Sequence, residues 1–136
     1  MANKEGLQRL TLEQLLAASE KREQALNKTE EIEIPQLGGT LLFKRPTDEM
    51  MMTFVNRVNT AGPDEIMEVT ADEMAKIIYS CCDQLHDQEL YEQLDVGDPV
   101  DVVHKIMDAG DIMTVGDKVC SMNSIYGNAA EEIKNA

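Results

Sequence analysis

A chain of 136 residues fits one domain, and its 43% apolar content can build a core, but 4% aromatic residues and no Trp leave that core to Leu, Ile, Val and Met. The net charge of −14 is lopsided: residues 1–57 carry 8 Lys/Arg and 9 Asp/Glu, residues 58–136 carry 4 and 17. No cation cluster is present to neutralise phosphate and no apolar run approaches a membrane span, so nucleic-acid and membrane binding are excluded, while Cys81, Cys82 and Cys120 suggest no disulfide framework and point to a reducing, cytoplasmic setting.

Residues 1–10 read as a flexible polar arm bearing Leu7 and Leu10, without the basic and apolar regions of an export signal. Thr11-Leu12-Glu13-Gln14 fits a capping box, in which Thr11 accepts from a backbone amide and Gln14 reaches back, and predicts an N-terminal helix over 11–28. Its apolar residues, Leu12, Leu15, Leu16 and Ala18, crowd into the first half, and Glu20 to Gln24 follow. So weak an amphipathic pattern fits a peripheral helix held by a few leucines or one that waits for a partner.

Thr29 to Pro46 is the stretch that reads as β. Glu31-Ile32-Glu33-Ile34 alternates charge with β-branched apolar residues, Gly38-Gly39 signals a turn, and Thr40 to Lys44 is the returning strand. Pro35 lacks a ladder donor and belongs at a strand end, an edge or a bulge. A lone hairpin is marginal in water, so helices must pack around this one.

Residues 47–127 read as helical. Thr47-Asp48-Glu49 starts a helix with Met51, Phe54, Val55 and Val58 on one face, ending near Ala61-Gly62 before Pro63; Met50 falls at the edge of that stripe and Met52 outside it. After a short connection, Thr70-Ala71-Asp72-Glu73 fits a second capping box, and Met74, Ile77, Ile78, Cys81, Cys82 and Leu85 mark the central core helix. Asp87 begins a short helix through Leu94. Asp98-Pro99 starts another that stops at Ala109-Gly110, and Asp111 begins the last, with Ile112, Val115, Val119, Met122 and Tyr126 as its seam and Gly116 as a point of close approach. Gly127 ends it, and 128–136 is a flexible polar tail. The fold class is α+β, mostly α: a single domain over 1–136 with one hairpin at about 29–46 packed by about five to six helices.

Catalytic and metal chemistry find no foothold. His86 and His104 do not pair with Cys at finger spacing, and His104 with Asp108 reads as a solvated pair. There is no nucleophile elbow, and the cysteines fall on apolar faces, where thiols behave as small hydrophobes. We expect no enzyme, no cofactor and no metal. An interaction protein remains.

The order of parts then resembles a known family. TLEQLLA followed by charges, TEEIEIPQLGGTLLFKRPTDE, a helix at once, and an acidic helical half ending in DPVDVVHKIMDAGDI are similar to the XkdN-like tail assembly chaperones of long-tailed bacteriophages and prophages. The resemblance spans roughly Thr11 to Tyr126 and is most specific from Ile34 to Pro46. It implies a chaperone that binds the phage tape measure protein, keeps that long helical client soluble in the host cytoplasm, and is absent from the mature virion. It also implies, for many members, a longer frameshifted form of the same chain.

Leu12, Leu15 and Leu16, with Met50 and Met52, are the candidate partner-binding face; the same leucines read equally as plain core. Coating a long client needs many copies, so a homo-oligomer is expected, through a hairpin edge or the N-terminal helix. The competing reading is an acidic interaction module, or a DNA mimic that inhibits a DNA-binding protein, motivated by the charge of residues 58–136.

Overall fold

A computed structural model describes residues 6–126. The expected tail at 128–136, the stop at Gly127 and the first five residues of the arm lie outside the described residues. The architecture is α+β and mostly α: one antiparallel hairpin, six α-helices and a further helical stretch at residues 124–126 within the described residues.

Helix α1 runs Leu12–Leu26 behind the Thr11 capping box: the Gln14 amide donates to Thr11 Oγ1 at 3.2 Å, and the Thr11 amide donates to Gln14 Oε1 at 2.9 Å. Strands β1 (Thr29–Ile34) and β2 (Gly39–Lys44) pair in register from Thr29 opposite Lys44 to Ile34 opposite Gly39. The turn is longer than a Gly-Gly loop. Pro35–Leu37 forms a 3-10 turn at the strand end, where a missing amide costs nothing, and Gly38 alone takes the left-handed φ of 67° while Gly39 already pairs in β2. The period of two buries Ile32, Ile34 and Phe43 on one face and leaves Glu31, Glu33 and Leu42 on the other.

Helix α2 (Asp48–Thr60) is capped by Thr47, whose Oγ1 accepts from the Met50 amide at 3.1 Å, and buries Met51, Phe54 and Val58. Helix α3 (Ile66–Cys81) is the central one, packed against α2, α6 (Ala109–Cys120), α5 (Asp101–Ile106) and β2. It begins four residues before the expected box at Thr70. The Thr70 hydroxyl donates back to the Ile66 carbonyl at 2.6 Å, as threonine does inside a helix, and so caps nothing. A 3-10 turn at Asp83–His86 buries Leu85 and leads to the short α4 (Gln88–Leu94), capped by Asp87.

Two boundaries move at the end of the chain. Asp98 accepts from the Val100 amide at 3.1 Å and opens a tight turn, so α5 proper starts at Asp101. Ala109-Gly110, expected to stop that helix, forms the first turn of α6, because Asp108 accepts from the Asp111 amide at 2.9 Å and caps it. Helix α6 ends at Cys120, short of the expected seam through Tyr126, although Met122 and Tyr126 still pack on the core beyond it. Gly116 is the point of close approach: a Cβ there would lie 2.8 Å from Met74 Cβ of α3.

Candidate partner-binding surface

The site is built from what α1 lacks. A helix in a folded domain normally buries a stripe of apolar side chains. Helix α1 buries none. Leu12 is 72% exposed, Leu15 52% and Leu16 61%. At spacings of three and four these leucines share one side of the helix, and Leu26, also exposed, falls in line with them three turns on. The arm before it adds exposed Leu7 and Leu10. Burial of one such side chain is worth ~1.5–3 kcal/mol, so this row represents a large unused driving force for association.

One polar side-chain contact joins α1 to another element among the described residues. Arg22 Nη2 lies 3.0 Å from Asp48 Oδ2 at the start of α2. Asp48 is itself held: Asn123 Nδ2 donates to its Oδ1 at 3.0 Å, and Arg45 Nη2 reaches it at 3.3 Å. These contacts keep the Asp48 carboxyl below the ordinary carboxylate value, with Asn123 as the main cause, then Arg22, against an opposing desolvation. Arg22 is largely exposed, so the link positions α1 without burying it.

The methionines part company. Met52 is exposed one helical turn beyond Asp48, while Met50 is half-buried against the core. Met50 lines a groove of about 530 Å³ between α2 and α3, together with Phe54, Ile77 and Arg57. In that groove Glu73 is nearly buried, its carboxylate held by Arg57 at 3.2 Å and Lys76 at 2.7 Å. The structure thus places Leu12, Leu15, Leu16 and Met52 at the surface and sets Met50 apart in a neighbouring groove. Sequence reading missed Arg22, Asp48 and Asn123, whose association spans up to 75 residues of chain.

Among the described residues no three His, Cys, Asp or Glu side chains gather as a metal site, and no helix is long and apolar enough to cross a membrane. His104 lies in the last turn of α5, whereas Asp108 caps α6 and also accepts from Gln36. The three cysteines are free and buried. Burial pushes the Cys81 thiol up to about 11 and Cys120 up to about 12, and raises Cys82 as well, so none is a ready nucleophile.

A family model for phage XkdN-like tail assembly chaperone proteins matches residues 12–136. No curated protein and no solved structure matches the chain. The match begins at Leu12, the first residue of α1, so the whole of that helix lies within the matched range. The chain belongs to the phage XkdN-like tail assembly chaperone family.

Proposed function

We propose that this chain binds the phage tape measure protein in the host cytoplasm and keeps it soluble during tail morphogenesis, acting by binding and not by catalysis. The observation that carries the reading is the row Leu12, Leu15 and Leu16 on a helix that buries nothing in its own protomer. A long apolar helix without its tail tube needs a temporary apolar neighbour. A leucine row on a soluble, acidic carrier supplies one, with exposed Met52 as an adaptable extension. Residues 58–136, with 4 Lys/Arg against 17 Asp/Glu, keep the complex dispersed by like-charge repulsion. Several copies coat one client, and a longer frameshifted form of the chain is a second expected partner.

The test is co-expression with the tape measure protein of the same gene cluster, followed by pull-down and light scattering. A soluble complex that is lost in Leu12→Ser/Leu15→Ser/Leu16→Ser, with the fold of the variant intact, supports the reading. A client that stays insoluble while this chain elutes alone overturns it.

A further inference from the structure

The two edges of the hairpin differ. In an antiparallel pair, alternate residues turn their amides and carbonyls outward. On β2 the outward amide of Leu42 donates to Gln84 Oε1 at 3.0 Å, and Lys44 Nζ sits 2.9 Å from Asp83, so the Asp83–His86 turn occupies that edge at Leu42 and Lys44. Leu42 stands opposite Glu31 in the register. Glu31, and Glu33 two residues on, therefore point their amides away from β2. Among the described residues no group accepts from either amide. This open edge borders a groove of about 540 Å³, with Lys28, Glu31 and Glu33 on the strand side and Asp117, Lys118 and Met122 on the helical side.

We propose that the β1 edge receives one extended segment of a partner protein that carries Lys or Arg at alternate positions, as a third strand of the sheet. The outward amides and carbonyls of Glu31 and Glu33 supply the ladder. Alternate side chains of the incoming strand come to lie beside the Glu31 and Glu33 carboxylates, where opposite charge stabilises the pair. The same charges exclude a second copy's β1, which would set glutamate beside glutamate. This surface is separate from the leucine row of α1 and does not depend on the nature of the client bound there.

The probe is a short soluble peptide in which Thr and Lys alternate, titrated at up to millimolar concentration into the isotope-labelled full chain, with a peptide of alternating Thr and Glu as control. The expected result is slowed hydrogen exchange at the Glu31 and Glu33 amides with the Lys peptide only. Glu31→Pro removes an outward donor and leaves the β1–β2 ladder intact, and it weakens binding by about tenfold. If that variant does not fold, Glu31→Lys/Glu33→Lys carries the test, since both side chains face solvent: it loses the Lys peptide and gains the Glu peptide. Unprotected Glu31 and Glu33 amides, equal binding of the two peptides, unchanged affinity in folded Glu31→Pro, or no reversal in the charge-swapped chain each overturn the proposal.

Discussion

Asn123 donates one side-chain amide to two acceptors in α2 and the segment before it, the Asp48 carboxylate and the Pro46 carbonyl, both at 3.0 Å. Its own carbonyl oxygen accepts from the Ile125 amide at 2.9 Å. Asn123 is fully buried, and its bond to the Pro46 carbonyl is buried with it. Asn123→Ala leaves the Pro46 carbonyl with only the longer 3.4 Å contact from Arg45 Nη1 and takes the acceptor from the Ile125 amide. Its cost should be ~1–3 kcal/mol, read as a lower urea midpoint at unchanged slope.

Acid should act through Asp48. Its folded carboxyl titrates below the ordinary value of 3.8 because Asn123 first, then Arg22 and Arg45, hydrogen-bond its charged form. A depressed folded value means that the stabilisation is fully present above 3.8 and is lost as the pH falls through the folded value. Asp48→Asn should therefore melt below the wild type at neutral pH, and the gap should close under more acidic conditions than 3.8. Parallel melting curves of the two proteins across that range give the answer, and a gap that stays constant would contradict the assignment.

Gly116 is retained against helix propensity, since Ala in its place would favour the helix by about 1 kcal/mol. The contact with Met74 reverses the sign. A Cβ at 2.8 Å from the Met74 Cβ forces α3 and α6 apart, and Gly116→Ala should cost ~1–3 kcal/mol despite the better helix former. Met74→Ala should not rescue it, because the nearest clashing atom is the Cβ that alanine keeps. Thermal melts of the single and double variants distinguish the cases.

Glu73 holds a nearly buried carboxylate between Arg57 and Lys76. Arg57→Ala/Lys76→Ala leaves it without its two cations and should cost ~1–3 kcal/mol, less than a fully buried pair would because both cations are half-exposed. Adding Glu73→Met to that pair should recover most of the loss, since the charge then no longer needs partners. Urea unfolding of the double and triple variants measures the recovery.

Helix α1 should behave unlike the rest of the chain. Fifteen residues without tertiary burial make a marginal helix in water. Its amides should exchange far faster than those of α3 and α6 by mass spectrometry, and Arg22→Ala should speed them further. Leu15→Ser should shift global stability by less than ~0.5 kcal/mol, against ~2–5 kcal/mol for Ile78→Ala in the core.

Local chemistry was legible in the sequence wherever one signal had one meaning. The Thr11 box, the Thr47 cap, the Met51/Phe54/Val58 stripe and the close approach at Gly116 all follow from spacing and residue type. Thr70 failed because its letters are those of a box, yet the same hydroxyl serves equally well inside a helix that the preceding Gly62–Glu65 turn has already begun. Gly110 failed because Asp108, two residues earlier, is the stronger start signal. The leucines of α1 could be read as a face, but spacing does not say what covers a face. Nor could the Arg22–Asp48–Asn123 chain be read, since its members meet only when the ends of the fold come together.

The buried thiols have a practical consequence. Cys81, Cys82 and Cys120 come from α3, its C-cap and α6, and all three lie in the core with titration points pushed upward. Buried as they are, all three are shielded from an alkylating reagent until the core opens. The rate at which the folded chain gains mass in such a reagent is therefore an internal clock of core opening, and it keeps time whether or not α1 has found its partner.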